Sequence, residues 1–423
     1  MQRFVVRPSG PLSGAVRVSG ATKNAGLKQM AASLLAPGVT TLRNLPPVID
    51  LEIMIDVLRA IGARVEWIGP DALCIDTSAE LTPEAPYELV TRMRASINVL
   101  GPLLGRCGQA RVAMPGGDAI GSRKLNMHFR GLEAMGVELQ VVHGFIEARC
   151  NRLAGARIVL EFPSVGATEN LLTAAVLAKG QTILENAARE PEIGGLVAFL
   201  NRMGAHIDGI GTSTLEIEGV DALRPVESEI MTDRIETGTL LMACGIAGGD
   251  VHLLGARADH LETVITKLVE MGMEIAPTPD GIQARAEGRL HATDIATLPY
   301  PGFATDFMPL AVSLLAVAKG TAIVTENIFD GRFGFVDEMA RLGADVRNEG
   351  RHAVIRGLAR LSSAPVRAHD VRAGAALVLA GLVGDGVTTV FGREHVNRGY
   401  PDLAKTLRAL GADVEAADEN GPR

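Results

Sequence analysis

Aromatic side chains are scarce in this sequence, with one Trp and three Tyr among 423 residues. So few flat rings leave little for a nucleic-acid stacking platform or an aromatic-rich β-sandwich. The chain is nonetheless 47% hydrophobic, so its cores must be aliphatic, which suits packed α/β layers. Cysteine is also sparse. Cys74, Cys107, Cys150 and Cys244 lie far apart with no Cys-x-x-Cys pair, which argues against bound zinc and against a disulfide framework and favours a reducing compartment. Long apolar runs are missing: the longest, such as Ala373 to Val383, fall well short of a membrane span. The opening Met-Gln-Arg-Phe-Val-Val has no apolar signal core, so the expectation is a soluble, cytoplasmic protein. A net charge of −8 argues against a general binder of nucleic acid or membrane surfaces. An anionic substrate therefore needs a local cluster of Arg and Lys. There is no His-Glu-x-x-His, no Gly-x-Ser-x-Gly and no Walker loop, and Gly209-Ile-Gly211 lacks the third glycine of a dinucleotide fingerprint.

What the chain does contain is an internal repeat. A helix-like segment closing on Gly recurs six times, at Gly62, Gly136, Gly204, Gly272, Gly343 and Gly411, roughly every 70 residues. Val57-Leu-Arg-Ala-Ile-Gly-Ala, Phe199-Leu-Asn-Arg-Met-Gly-Ala and Leu407-Arg-Ala-Leu-Gly-Ala are versions of one motif, a helix stopped by a Gly cap before a strand. Solenoid repeats run to about 20–45 residues, so these longer modules read as small α/β units packed three to a domain. The predicted division is 21–229 for one lobe, and 1–20 with 230–423 for the other. The first strands lack a helix of their own and are expected to complete the sheet of the last repeat.

The loop Met114-Pro-Gly-Gly-Asp-Ala-Ile-Gly-Ser-Arg123 cannot be a helix or a central strand. Its glycines admit a close ligand, and it brings an acid, Asp118, near a guanidinium, Arg123, with Lys124 beside it. An acid next to an anion clamp suits chemistry on a phosphate or carboxylate. The plain alternative is a surface turn in which Asp118 bonds its own backbone. The first helix of each repeat starts with a polar group: Lys23-Asn24, Arg94, Thr168-Glu169, Arg234, Asp306 and Arg372. Cations at a helix N-terminus oppose the macrodipole, so Lys23, Arg94 and Arg372 need another reason to be there, and a bound anion is one. Asp306 reads equally as an N-cap or a cleft carboxylate. Phe329-Asp-Gly-Arg332 and His395-Val-Asn-Arg398-Gly-Tyr400 fall where a strand turns into a helix.

Together these strings resemble the enolpyruvyl transferases, specifically the branch that serves peptidoglycan synthesis. Lys23-Asn24, Met93-Arg-Ala-Ser96, Pro115-Gly-Gly, Ser164-Val-Gly-Ala-Thr168, Asp233-Arg-Ile-Glu-Thr237, Thr305-Asp306 and Asn397-Arg-Gly-Tyr400 carry the likeness, which runs from Ser19 nearly to the C-terminus. The resemblance implies a two-domain inside-out α/β barrel of six α/β units whose lobes close over two small-molecule substrates, phosphoenolpyruvate and a UDP-sugar. It implies transfer of enolpyruvate to the 3-hydroxyl of UDP-N-acetylglucosamine with release of phosphate. No metal and no organic cofactor is implied. Lys23, Arg123 and Arg398 would hold the phosphate of phosphoenolpyruvate, with Arg332 and Arg372 toward its carboxylate, and Asn24 would also bind this substrate. Arg94, Arg123, Lys124, Leu125, Asn126, Met127, Ser164, Val165, Asp306 and Ile328 would contact the nucleotide sugar. Asp306 would be the base and Asp118 the proton donor.

The sequence also departs from the family pattern. Asp118 stands where most members have the cysteine that the epoxide fosfomycin alkylates. The lysine motif reads Gly-Ala-Thr-Lys-Asn, one residue longer than usual, and Phe162-Pro163 stand where many members have a lysine. Arg123-Lys-Leu-Asn126 replaces Arg-Pro-Val-Asp, so Asn126 lacks the carboxylate aimed at the sugar nucleotide. A second expectation is therefore a transferase of secondary metabolism acting on another uridine nucleotide. A third, an RNA 3′-terminal phosphate cyclase-like relative, is disfavoured by the acidic net charge.

Overall fold

The computed structural model describes residues 2–117, 120–121 and 124–418. Its strands make six four-stranded sheets with one plan. A short edge strand runs parallel to a second, which pairs antiparallel with a third, which pairs antiparallel with a fourth. One sheet, for example, takes Arg157–Val159, Gln181–Glu185, Thr214–Glu218 and His206–Asp208 in that order. Strands such as Thr321–Thr325 alternate exposed and buried residues, so each sheet turns one face inward and one to water.

The six repeat glycines all adopt positive φ, +108° at Gly62 and +106° at Gly204 among them. After the helices Ile49–Ile61 and Pro191–Met203 these glycines are left-handed C-caps. Gly62 N donates to Arg59 O at 3.0 Å and Ala63 N to Leu58 O at 3.0 Å, and Gly204 and Ala205 repeat the pair on Asn201 and Leu200. A Cβ would be strained there, which is why the motif ends on Gly each time.

The chain divides into two compact lobes. The first gathers Gly20–Gly117 and Lys124–Met231; the second gathers Met1–Ser19 and Thr232–Arg423, together with the described residues of 118–123. That short segment was expected with 21–229. In the first lobe the helices Leu27–Ala32, Leu100–Cys107 and Val165–Ala175 fill the centre, and Arg234–Ala247, Met308–Leu315 and Val371–Gly381 do so in the second. Every residue of Met308–Leu315 and Val371–Gly381 is buried, so these mostly apolar helices are enclosed on all sides. Each buried Leu or Val contributes about 1.5–3 kcal/mol. No described helix is long and apolar enough to cross a membrane.

The N-terminal strands are divided between two sheets. Gln2–Val6 lies between Thr388–Phe391 and Val414–Asp418 in the last repeat's sheet. Leu12–Arg17, expected in that same sheet, instead runs parallel to Gly249–Leu254 and forms the edge of the fourth repeat's sheet. The edge strand of the first sheet, Glu227–Glu229, likewise comes from far along the chain to pair with Val39–Arg43.

Where Ser19 ends the second lobe's first segment, its backbone N–H donates to Glu236 Oε2 at 2.8 Å and its hydroxyl to the same oxygen. Ser19 O in turn accepts from Asp233 N at 2.8 Å. Burial pushes the Glu236 carboxyl up to about 7, with Asp233 adding to the rise and the Ser19 bonds opposing it. A carboxyl raised in the fold binds its proton where the unfolded chain has lost it. Stability from this group is therefore greatest below about 4.5 and declines as pH rises toward 7. Glu236→Gln, which mimics the protonated form, is expected to be near-neutral at pH 5 and stabilising by roughly 2–3 kcal/mol at pH 8. Denaturant unfolding of both proteins at the two pH values checks this, and equal differences at both would refute it.

Candidate active site

Asp306 lies in the 3₁₀ turn Thr305–Phe307 that leads into the helix Met308–Leu315. Its side chain does not cap that helix. Instead the carboxylate, 34% exposed, accepts from Arg372 Nε at 2.7 Å, so the N-cap reading is set aside. Arg372 is the second residue of Val371–Gly381, whose N-cap Asp370 accepts from Arg372 N at 2.8 Å and Ala373 N at 3.0 Å. Asp233 caps Arg234–Ala247 in the same way. An acidic cap beside each arginine offsets the unfavourable dipole at these two helix starts.

The Arg372 side chain is 2% exposed, and its guanidinium lies 5.4 Å from the centre of the Tyr400 ring. The Tyr400 hydroxyl shares a hydrogen bond with Thr239 at 2.8 Å. Arg332, 3% exposed, comes within 3.9 Å of Asp370. Both terminal nitrogens of Arg372 and Nε of Arg332 are buried with no hydrogen-bond partner among the described residues. Each such unmet donor costs about 1–3 kcal/mol, more for a charged group, and a bound carboxylate or phosphate oxygen would satisfy it. Burial works to raise the Asp306 carboxyl, but the nearby charges of Arg372 and Arg332 outweigh it and hold the group well below the usual carboxylate range. Burial likewise works against the Arg372 cation, yet Asp306 prevails and the guanidinium stays charged.

Two further predicted residues lie in the same lobe. Arg398 follows the short helix Arg393–Val396 and is partly buried. Ile328 is half-buried, and its N–H donates to Glu326 Oε1 at 2.7 Å. Asp118 and Arg123 fall outside the described residues. Between them, Ile120 O accepts from Gly331 N at 3.2 Å. Gly121 has φ +116°, and a Cβ there would come within 2.0 Å of Asp330 Oδ1, so only Gly fits.

The first lobe holds the other predicted residues at matched helix starts. Lys23 and Asn24 sit in the turn Thr22–Gly26, with Lys23 Nζ 2.5 Å from the fully buried Asp50. Arg94 opens the turn Arg94–Val99, and Ser164 caps Val165–Ala175 by accepting from Ala167 N at 3.3 Å. Asn126 and Met127 begin Asn126–Ala134, after an exposed Lys124 and a buried Leu125.

Sequence reasoning missed the polar groups behind these residues. Glu169, already noted at a helix start, turns out to take Lys28 Nζ at 2.7 Å and Asn98 Nδ2 at 2.7 Å. Burial pushes its carboxyl up, against the pull of Lys28 and Asn98. His128 is pushed down to about 3 by burial, with the charges of Arg94 and Lys28 adding to the fall, so it stays neutral. Its Nδ1 faces Asn170 Nδ2 at 3.1 Å, and accepting there leaves the proton on Nε2. A lone histidine four residues after Lys124 gave no sequence signal for this.

Buried, incompletely satisfied arginines around an ionised carboxylate, carried on six repeated α/β units, make a candidate anion-binding site. The chain belongs to the EPSP synthase (3-phosphoshikimate 1-carboxyvinyltransferase) family of enolpyruvyl transferases, whose family model matches residues 6–407. Within that family it is 52% identical to the UDP-N-acetylglucosamine 1-carboxyvinyltransferase of Corynebacterium jeikeium, over 97% of this chain and 98% of that one. The enzyme of the same name from Mycobacterium leprae is 50% identical over 98% and 99%. Among solved structures, the enolpyruvyl transferase NikO from Streptomyces tendae superposes with a TM-score of 0.87 over 99% of both chains, at 26% identity.

Proposed function

We propose that this chain transfers the enolpyruvyl group of phosphoenolpyruvate to the 3-hydroxyl of UDP-N-acetylglucosamine, releasing phosphate. The observation that carries the reaction is the pair of buried guanidiniums with unmet N–H groups beside the ionised Asp306. The acceptor follows from relatives of that name at 50–52% identity, which outweigh the more distant NikO. On this reading the reaction is the committed step of peptidoglycan synthesis, in the cytoplasm, and serves cell shape and division.

Addition to the enol phosphate needs a proton on the methylene carbon, supplied by Asp118, and removal of the sugar hydroxyl's proton as its oxygen attacks, by Asp306. Phosphate then leaves as the new methyl group returns a proton, so no electrons change hands and no redox cofactor is called for. Arg332 and Arg372 would hold the substrate's carboxylate, and Lys23, Arg123 and Arg398 its phosphate, with Asn24 also binding this substrate. Arg94, Arg123 to Met127, Ser164, Val165 and Ile328 would contact the nucleotide sugar. A substrate carboxylate shares the Arg372 and Arg332 charge that otherwise holds Asp306 down. Its arrival therefore strengthens Asp306 as a base when a base is needed.

The test is phosphate release from phosphoenolpyruvate with a panel of UDP-sugars and UMP. Turnover is expected with UDP-N-acetylglucosamine. Release with another uridine nucleotide and none with this one would overturn the acceptor.

A further inference from the structure

Glu326 is fully buried at the end of the strand Thr321–Thr325, where the chain turns toward Arg332. Its carboxylate gathers four donors from three places. Oε1 accepts from the Thr297 hydroxyl at 2.9 Å, Ile328 N at 2.7 Å and Phe329 N at 3.0 Å. Oε2 accepts from the Thr305 hydroxyl at 2.9 Å. Thr297 reinforces the same point, with its hydroxyl accepting from Asn327 N at 2.9 Å and its carbonyl from Asn327 Nδ2 at 3.1 Å. All these residues belong to the second lobe.

A carboxylate is a costly group to bury, and neutral donors repay only part of that cost. Stability alone is thus a poor reason to have one here. Its partners suggest another: Thr305 is the residue before Asp306, and Ile328 and Phe329 begin the loop that ends at Arg332. From this we infer that Glu326 is a positioning residue for the transfer reaction, a clip that fixes the Asp306 turn against the 328–332 loop. It touches no substrate; it acts through Thr305 and the two backbone N–H groups. The inference rests on the function proposed above, in which Asp306 is the base. Displacing a base by about 1 Å can cost on the order of 10²-fold in rate, so a clip of this kind would show in turnover.

The experiment is a double-mutant cycle on kcat, begun with the unmutated chain. Glu326→Ala is expected to lower kcat about 30- to 100-fold while both KM values stay within about threefold. Glu326→Gln, which keeps an oxygen for the backbone donors and an amide that the Thr305 hydroxyl can accept from, is expected to recover kcat to within about fivefold of the unmutated chain. Thr305→Val, which deletes only the Asp306 branch, is expected to cost about tenfold, and adding it to Glu326→Ala should cost nothing more. Fully additive losses, or unchanged turnover in Thr305→Val, would overturn the clip. Should Glu326→Ala not fold, Thr305→Val decides alone, with unchanged kcat counting against the clip. An unmutated chain that releases no phosphate would instead sink the functional reading, and the clip's role with it.

Discussion

Asp306→Asn is expected to reduce turnover by ~10²-fold or more while nucleotide binding stays within about tenfold. The asparagine keeps the shape of the side chain and still offers an oxygen to Arg372 Nε, now at 2.7 Å. What it lacks is the ability to take a proton from the attacking hydroxyl. Removing the carboxylate also leaves Arg372, a charge 2% exposed, without its counterion until an anionic substrate arrives. Phosphoenolpyruvate should therefore bind the variant at least as tightly as it binds the unmutated chain, even as kcat falls. Because Arg372 and Arg332 hold Asp306 below the usual carboxylate range, its contribution to stability is present above about pH 3.9. That contribution is lost only as pH falls further, through the depressed value. The stability difference between variant and parent should thus be flat from pH 5 to 8, unlike that of Glu236→Gln. Steady-state kinetics, calorimetry with each ligand and denaturant unfolding test the three parts. Unchanged turnover would reduce Asp306 to a structural partner of Arg372.

The second large effect belongs to Asp118. The chain is expected to resist fosfomycin, and Asp118→Cys to acquire time-dependent inactivation by it while keeping some turnover. A thiolate is a strong, soft nucleophile toward an epoxide and a carboxylate is a poor one, yet either group can deliver a proton. For that role Asp118 must hold a proton near neutral pH, against a free value of about 3.9. On the proposed reading, the negative charges of bound substrates would supply that rise. Turnover should accordingly decline as pH rises, and Asp118→Asn, unable to donate a proton in the same way, should lose turnover by ~10²-fold or more. Mass spectrometry of the epoxide-treated proteins reads the adduct directly. Rapid labelling of the unmutated chain at Asp118, or full activity in the Asn variant, would sink the assignment.

The sequence was most readable where a local rule acts alone. The six glycines announce helix ends because a left-handed cap excludes other residues, and all six have positive φ. The polar helix starts were legible for the same reason, as Arg372 and Asp306 recur at matched points of their repeats. Partnerships were not legible. Nothing near Asp306 points to Arg372, and nothing near Lys28 points to Glu169, because these pairs are made by helices meeting in a core. Glu326 gave no signal in the sequence, since its partners are two threonines well before it in the chain and two backbone groups. Edge strands of two or three residues, such as Glu227–Glu229, carry too little pattern to reveal a mate far away in sequence.

The pairing of Gln2–Val6 with Val414–Asp418 also bears on the order in which the chain assembles as it is made. The first lobe's last strand, Glu227–Glu229, emerges about halfway through synthesis and can close its sheet then. The strand Gln2–Val6 has no finished partner until nearly everything else has emerged, a wait on the order of 20 s to more than a minute at ribosomal rates of about 5–20 residues per second. Through that interval Phe4 and Val6, both buried in the end, stay exposed on an unpaired strand. A segment made before either lobe is thus among the last to be sheltered. Chaperone dependence and aggregation during expression should concentrate there, and a substitution that breaks up this apolar run should affect yield more than it affects the finished protein.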